Sequence, residues 1–519
     1  MSSGPPEPRR RKPPRRAAAA HAQTRPGSRI AALAFFCSTL SSCKHETLKP
    51  NPIGSDAATD ATCSVANCSD SCPSGTVLWL CTFGSEPGFA GPDDAVRAMA
   101  TGPDSIWITG HSNCCLLEDA VPPRLDGGVW SGLGQGVDLG GGRTRKFGGG
   151  DGFVAALGLD GRHIASWTFG GQFDDYGASI AVDRQNNAFL VGYLERGGRI
   201  GGTEFLQEYT NRSEVVILSK EALANADSSL WQRRLWSRWL AHAAATDHDG
   251  NVVTIGEFSG TAVIDRSSLT SAGGTDIAVA KFASTGDLIW WRRFGGPKND
   301  GPADLAIDSS GNIYVTGVFR DTISFGGDSL TSSGGSDAFV AVFSPEGGSP
   351  IWSRRQGGLF DDRGASIAVD GGARVALCTD IGEGVGMRPA LFASVTQRSG
   401  DVWTKRLGAS APCHVEMDFG GTATFIVSST DAVDFGSGRL TGAVSANTVF
   451  IANISREGAP VWARALGSKG GDITAAAVSR DGRGAIVVAG GFSGEIAFDS
   501  HAAGARWGGE DIWLARIAP

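Results

Sequence analysis

The chain has 519 residues, of which 41% are hydrophobic and only 19% charged, with 75 glycines and 22 prolines. This apolar content is sufficient for a packed core, which excludes a chain that is disordered throughout. The glycines have no collagen period, the apolar runs are short, and patterns of the i, i+3, i+4 type are almost absent. These features exclude helical bundles and favour an all-β repeat protein.

The formal net charge of −8 is distributed unevenly along the chain. Residues 1–42 contain eight Lys or Arg and one acid, which leaves 38 basic and 53 acidic residues in the remainder. Such an acidic body lacks the clustered cations that neutralise phosphate groups. Nucleic acid is therefore excluded as a partner.

The first 42 residues are predicted to be an export signal. A basic stretch leads into eleven uncharged residues, Ile30–Leu40, which are too few to span a bilayer and follow the order of a secretory signal. The following Leu40-Ser41-Ser42-Cys43 resembles the lipobox of bacterial lipoproteins, in which the cysteine is acylated. We predict a lipoprotein signal peptide over residues 1–42 and lipid attachment at Cys43. An ordinary signal peptide with an incidental cysteine is the alternative.

The predicted location is the cell envelope, with a lipid anchor in the membrane. Lys44 rather than Asp follows the cysteine, which favours the outer membrane. Residues 43–76 lack apolar periodicity and are predicted to be a polar tether that contains cysteines. Eight cysteines remain outside the signal and the anchor, an even number that indicates disulfides in an exported chain. Their pairing does not follow from the sequence.

From residue 77 onward, a unit of about 60 residues with four apolar runs repeats along the chain. The clearest unit contains the runs Leu305–Asp308, Ile313–Phe319, Ala338–Phe343 and Ile351–Arg355. Each run is β-branched or aromatic, and turn residues bound it. The fourth run contains a tryptophan that we expect to be core, at Trp79, Trp231, Trp290, Trp352, Trp403 and Trp462.

Four strands per unit are what a β-propeller blade requires. The propeller region starts with a fourth-type strand, Val77–Phe83, and ends with a third-type strand, Ile512–Ile517. The first strand is expected to complete the last blade and so to remove an exposed edge. We therefore predict an all-β, seven-bladed propeller of four-stranded blades over residues 77–519.

The repeats resemble the bacterial seven-bladed β-propeller repeat family of secreted and surface proteins. The shared pattern is GG-x-D-A-F-V-A, then W-x-x-x-F-G-G, A-x-I-A-V-D and G-N-x-Y-V-T-G, and it is close over residues 276–370 but weak over 371–470. The resemblance implies the fold and an exported location, and it implies no common reaction.

Two sets of repeated aspartates have different expected roles. Those in the turns, such as Asp151, Asp183 and Asp308, are interpreted as turn residues. A second set directly precedes the inner strand of each blade, near the predicted channel mouth, and could form an electronegative ring for Ca²⁺ or a basic partner. Independent turn caps are the alternative, and no other cofactor is predicted. This second set consists of Asp175, Asp300, Asp362 and Asp472.

An insertion at residues 112–148 is the largest departure from the repeat. It is rich in glycine and contains Cys114, Cys115 and Trp130. Loops on rigid scaffolds often carry binding residues, so these three are predicted to contact a ligand. A decorative loop held by disulfides is the alternative.

An enzyme is a further alternative. The stretch Ala283–Trp290 resembles the tryptophan-docking repeat of pyrroloquinoline quinone dehydrogenases, but those propellers have eight blades and their calcium ligands and catalytic Asp are not recognisable here. The same hairpin occurs in propeller lipoproteins of outer-membrane assembly machinery. HExxH, GxSxG and P-loop motifs are absent from the sequence, and no catalytic residue is assigned. The predicted function is a lipid-anchored scaffold for an unidentified protein or glycan, with an envelope assembly component or a quinone-dependent enzyme as alternatives.

Overall fold

The computed structural model describes residues 44–48, 62–67, 74–83, 94–112, 134–195, 198–200, 203–205, 213–218, 239–385, 387–442, 446–498, 501–504 and 510–519. Residues Lys44–Pro519 belong to one compact unit. All regular elements in the described ranges are β-strands. None of these ranges contains a helix that is long and apolar enough to cross a membrane.

The strands follow one another along the chain in short antiparallel hairpins. The first fourteen are β1 (Lys44–Leu48), β2 (Thr62–Asn67), β3 (Val77–Phe83), β4 (Ala95–Thr101), β5 (Ser105–Ser112), β6 (Gly134–Asp138), β7 (Arg143–Lys146), β8 (Asp151–Gly158), β9 (His163–Gly170), β10 (Tyr176–Val182), β11 (Ala188–Glu195), β12 (Gly198–Ile200), β13 (Thr203–Phe205) and β14 (Ser213–Leu218).

The middle of the chain contains three regular groups of four strands. These are β15 (Trp239–Thr246), β16 (Val252–Ile264), β17 (Ser267–Phe282), β18 (Leu288–Phe294), β19 (Gly301–Ile307), β20 (Ile313–Ile323), β21 (Leu330–Phe343), β22 (Pro350–Gln356), β23 (Arg363–Val369), β24 (Val375–Ile381), β25 (Ala390–Gln397) and β26 (Gly400–Ala409).

The last part of the chain is interrupted by short additional hairpins. Its strands are β27 (Cys413–Met417), β28 (Ala423–Ser429), β29 (Val433–Asp434), β30 (Arg439–Leu440), β31 (Thr448–Ile454), β32 (Pro460–Lys469), β33 (Ile473–Arg480), β34 (Ile486–Phe492), β35 (Glu495–Phe498), β36 (His501–Gly504) and β37 (Asp511–Ile517).

The main strands form sheets that radiate from a ring of inner strands. In chain order, the innermost strands are β4, β10, β15, β19, β23, β27 and β33, and we number their sheets 1 to 7. Each inner strand contacts the next one, and β33 contacts β4, so the ring is closed. Buried aliphatic and aromatic side chains fill the space between neighbouring sheets. This arrangement is a β-propeller, which confirms the predicted fold class.

The number of complete blades differs from the prediction. The sequence predicts seven four-stranded blades, and the structure shows six, because sheet 2 consists of the three strands β10, β11 and β14. The fourth strand of this sheet is expected around Trp231, which lies outside the described residues. The other six sheets contain the predicted four-stranded antiparallel unit.

The predicted closure by the N-terminal strand is confirmed. Strand β3 pairs antiparallel with β37, and Leu80 lies opposite Ala515. The amide of Gly75 donates to the carbonyl of Ala518 at 2.9 Å, and the amide of Ala518 donates to the carbonyl of Thr76 at 2.8 Å. Sheet 7 is therefore built from both ends of the propeller region.

The segment expected to be a tether also contributes to this sheet. Strand β2 pairs with the outer edge of β3, and β1 pairs with β2, which extends sheet 7 to six strands. Cys63 lies opposite Cys81 in this pairing. The pairing covers an outer edge that would otherwise present unpaired backbone groups.

The described tryptophans of the repeat differ in burial: Trp79 is packed in the core as predicted, whereas Trp290, Trp403 and Trp462 lie between neighbouring sheets at the outer rim. Trp79 is 2% exposed, whereas Trp290, Trp403 and Trp462 are half-buried. Trp290 covers Gly348 in the next sheet, where a Cβ would lie 2.7 Å from the indole ring and φ is +62°. Its Nε1 donates to the carbonyl of Pro345 at 3.0 Å. The tryptophan thus fixes the hairpin of the adjacent blade, and its outer-strand position keeps it half-exposed.

A disulfide joins sheets 5 and 6. Cys378 in β24 is bonded to Cys413 in β27, 35 residues later in the chain, and their Cα atoms are 6.0 Å apart. Cys81 is disulfide-bonded as well. The prediction that this chain contains disulfides is therefore confirmed.

Candidate functional site

The hairpin that follows the inner strand is fixed by an aspartate in six of the seven sheets, and β4 has Gly102 at this position instead. In sheet 4, Oδ1 of Asp308 accepts the amides of Ser310 and Asn312 at 2.8 and 2.9 Å. Asp183 and Asp247 make the same pairs of bonds two and four residues further along the chain. The turn role predicted for these aspartates is confirmed, and the hairpins give a common reference point for comparing the seven inner strands.

A β-bulge recurs in six of the seven inner strands. Such a bulge inserts one unpaired residue and redirects its side chain. All six inserted residues line the central cavity, and they are Arg97, Ala178, His242, Ala303, Ala365 and Ala476. The repeat therefore places small side chains toward the axis, and Arg97 and His242 are the two departures from this rule.

The ring of inner strands surrounds a cavity of about 400 Å³ that is lined by all seven of them. Alanines from six of the seven strands contribute to its wall. The second position before the hairpin residue is alanine in five of the seven strands, and Ala100, Ala181 and Ala245 line the cavity from this position. At this position β27 has Glu416 and β33 has Ser479. The repeat therefore has small side chains at this position, and β27 has a long carboxylic side chain there.

The Glu416 carboxylate has no hydrogen-bond donor among the described residues. Arg480 lies near enough to attract it electrostatically. The Arg480 guanidinium, however, donates to the carbonyl of Gly484 and to Oγ1 of Thr424, both at 2.9 Å. These two bonds hold the arginine in the wall of the propeller, so that it forms no ion pair with Glu416.

Asp304 is the second carboxylate in the cavity wall, and it connects neighbouring sheets. Its Oδ2 accepts Oγ of Ser366 at 2.8 Å and the amide of Ile367 at 3.0 Å. Ser366 in turn accepts the amide of Val415 at 3.2 Å. Asp304 therefore has a structural role in joining sheets 4, 5 and 6, which Glu416 does not share.

Burial in the cavity wall shifts the pKa values of these groups. Burial raises the pKa of Glu416 to about 7, and the nearby Asp304 raises it further, while Arg480 opposes the change. Burial also raises the pKa of Asp304 to about 6. It lowers the pKa of His414 to about 4, so this imidazole is neutral at pH 7. The cavity therefore combines two carboxyl groups with a neutral imidazole.

Replacement of Glu416 by alanine is expected to reduce the loss of stability at higher pH. The folded protein holds the Glu416 proton up to about pH 7, whereas the unfolded chain releases it near the ordinary value of 4.5. The folded state therefore binds more protons between these values, and the free energy of unfolding falls as the pH rises through this window. Glu416→Ala should remove a loss on the order of 2 kcal/mol, measured by thermal melts from pH 4 to pH 8.

The exposed Glu457 in the outer hairpin of sheet 6 provides the control for this experiment. Glu457→Gln removes the same charge and should leave the pH dependence of the melting temperature unchanged. If Glu416→Ala retains the pH dependence of the original protein, the carboxyl group is not the titrating group.

The aspartates predicted to form a ring for Ca²⁺ do not converge on one point. Asp175, Asp300 and Asp362 are 1–2% exposed, while Asp472 is exposed. Asp175 accepts the amides of Gly171 and Glu195, both at 2.6 Å, and the other two buried aspartates accept amides in the same way. Within the described ranges, no group of three or more His, Cys, Asp or Glu is arranged to hold a metal ion. The geometry is that of turn caps, and the Ca²⁺ ring stays a prediction.

Burial changes the protonation of these capping aspartates. It raises the pKa of Asp175 to about 8, against the effect of the two amides, and it raises the pKa of Asp300 to about 6. It also raises the pKa of Asp151, which lies beside Asp175, to about 7. These shifts follow from enclosure in the turns at the edge of each sheet.

The remaining predicted site residues lie outside the described residues. These are the lipid-attachment residue Cys43 and the three residues of the insertion, Cys114, Cys115 and Trp130. The described end of the insertion forms the hairpin β6–β7, in which Oδ1 of Asp138 accepts the amides of Gly140 and Gly142 at 2.8 and 3.1 Å.

The sequence interpretation missed the cavity residues. Glu416 and His414 lie in the stretch where the repeat pattern is weakest, so their strand could not be aligned with the others by pattern alone. The signal was nevertheless present, because the inner strands have small residues where β27 has Glu416. An alignment of the inner strands on their hairpin residues would have identified it.

Comparisons with known proteins agree with this architecture. A family model described as "Beta-propeller repeat" matches residues 289–318, from the outer strand of sheet 3 into the second strand of sheet 4. Regulatory protein FlaEY of Caulobacter vibrioides is 28% identical over 132 residues, which are 24% of this chain. The match covers 14% of the length of that protein.

Several solved structures are similar in shape. The β-propeller domain of the Trilobed protease from Pyrococcus furiosus has 7% identity and a TM-score of 0.41, with 81% of this chain and 96% of that chain covered. Sqt1 of Chaetomium thermophilum has 11% identity and a TM-score of 0.39, with 82% and 95% covered. At these values the likeness carries no functional argument. The closed ring of antiparallel sheets and the repeat matched over residues 289–318 support a relationship to the bacterial β-propeller repeat family.

Proposed function

We propose that this protein is a lipid-anchored binding scaffold of the bacterial cell envelope and that it performs no catalysis itself. The observation that carries the binding role is the cavity on the propeller axis, since rigid sheets hold side chains from seven strands around one space. The propeller fold supports a scaffold or interaction role at this general level.

Two features support an exported location. The N-terminal sequence has the order of a lipoprotein signal, with Cys43 as the residue to be acylated. The disulfide between Cys378 and Cys413 requires an oxidising compartment to persist. The partner is a protein, a glycan or a small molecule, and the insertion with Cys114, Cys115 and Trp130 is proposed as a second contact region.

The anchor can be tested by labelling the protein in a bacterial host with an alkyne analogue of palmitate. We expect the label on the original protein and its recovery in the membrane fraction. Cys43→Ala should abolish both, because the thiol that is acylated has been removed. Cys37→Ala is the matched control and should still be labelled. Loss of the label with Cys37→Ala but not with Cys43→Ala would contradict the proposed anchor.

A further inference from the structure

A few polar residues interrupt the alanine wall of the cavity. In most strands the side chains that face the axis are alanine, and the polar residues that replace alanine lie on different strands. The titratable residues among them are Arg97 in β4, His242 in β15, Asp304 in β19, and His414 with Glu416 in β27. Arg97 is held by other contacts, because its Nε donates to Nδ1 of His111 at 3.3 Å and its guanidinium lies 4.1 Å from the ring centre of Tyr176. Polar groups that break a repeat rule without serving the repeat fold are candidates for function.

Of these groups, Glu416 most clearly lacks a structural role. Asp304 joins three sheets through its hydrogen bonds. Glu416 accepts no hydrogen bond within the described part of the chain, and Arg480, which attracts it electrostatically, is hydrogen-bonded to Gly484 and Thr424. The five other inner strands with alanine at this position fold without a carboxyl group.

A second polar group that lines the cavity also lacks a hydrogen-bond partner among the described residues. Nε2 of His242 is buried and has no hydrogen-bond partner. His242 lines the same cavity as Glu416, on a strand that is three sheets away around the ring. A buried polar atom without a partner is costly, and a ligand that reaches both sides of the cavity would satisfy it.

The volume of the cavity and the chemistry of its wall decide the class of ligand. A cavity of about 400 Å³ is within the range of small-molecule sites and much larger than a metal ion requires. The His and acidic groups of the described residues do not converge to hold a metal. A carboxylate in an alanine-lined space is best neutralised by a cation that also brings apolar atoms.

We propose that the axial cavity binds a small free amine, with its ammonium group at the Glu416 carboxylate and its far end toward His242. Alanine side chains contact the carbon chain of the amine between these two points. The inference rests on the proposed binding role of the cavity, and it is independent of the lipid anchor.

The test uses 1,4-diaminobutane as the probe, on the protein from Lys44 onward, which is one compact unit. Titration calorimetry and thermal melts should show binding and a rise in melting temperature. Glu416→Ala should weaken binding by about tenfold or more, because a charge-assisted contact is lost. This variant should fold, since alanine is the residue that the repeat places there. Glu457→Gln is the matched control and should bind as the original protein does.

Each other outcome would overturn the proposal. If 1,4-butanediol, which has the same length and no charge, raises the melting temperature equally, the site does not select an ammonium group. If Ca²⁺ alone raises it and the amine does not, the acidic groups form a metal site. If the amine has no effect at 10 mM-scale concentrations, on the order of a hundred times a typical metabolite affinity, the cavity does not bind small amines. Failure of this test leaves the labelling of Cys43 unaffected, so the two proposals can fail separately.

Discussion

Deletion of residues 77–83, which form β3, is expected to lower the melting temperature by more than about 10 °C or to prevent folding. Five side chains of this strand, from Val77 to Phe83, are at most 2% exposed. Their burial contributes on the order of 10 kcal/mol, since each buried side chain of this size contributes about 1.5–3 kcal/mol. The deletion also leaves β37 as an unpaired edge. Differential scanning calorimetry measures the change.

A circular permutant provides the control for this deletion. If residues 74–83 are moved from the start of the propeller region to follow Pro519 through a short flexible linker, β3 can pair with β37 as a continuous hairpin. The hydrogen bonds between Gly75, Thr76 and Ala518 show that the two ends are adjacent. The permutant should keep most of the original melting temperature.

A milder variant keeps the experiment informative if the deletion does not fold. Leu80 is 1% exposed, and Leu80→Ala should lower the free energy of unfolding by about 2–5 kcal/mol. This change leaves the disulfide of Cys81 in place. A melting temperature unchanged by Leu80→Ala would contradict closure by the N-terminal strand.

Replacement of Lys281 by methionine is expected to destabilise the protein by about 3 kcal/mol. The Lys281 ammonium lies 2.8 Å from Oδ2 of Asp247, and both side chains are nearly buried, at 6% and 4% exposure. Removal of one partner from a buried pair leaves the other charge without compensation. Burial opposes ionisation of Asp247, but the hydrogen bonds from Lys281 and Asn251 outweigh it and lower its pKa. Urea denaturation measures the loss.

Two controls separate this charge effect from packing. In the double variant Asp247→Asn with Lys281→Met, the uncompensated charge is absent and the turn can keep its side-chain acceptor, so much of the stability should return. Arg406→Met breaks an exposed pair with Glu383 and should leave the midpoint nearly unchanged. If Lys281→Met and Arg406→Met behave alike, the buried pair does not stabilise the hairpin of sheet 3.

The sequence alone determined the architecture. Four short apolar runs per unit, separated by turn residues, are compatible with few structures other than an antiparallel blade, because a strand of that length must bury both faces between neighbouring sheets. The aspartates at the hairpins were identifiable for the same reason, since their bonds are local in sequence. The end strands Val77–Phe83 and Ile512–Ile517 could be paired because they correspond to the fourth and the third strand of the same repeated unit.

Only the tertiary structure decided what surrounds the axis. Asp175 and Asp300 look alike in the sequence whether they face a channel or cap a turn, and the amides that they bind become known only when the chain is folded. Glu416 and His242 are 174 residues apart and meet across one cavity because the ring closes. Contacts of this kind depend on which side chains the closed ring of inner strands brings face to face, and no local sequence pattern encodes that.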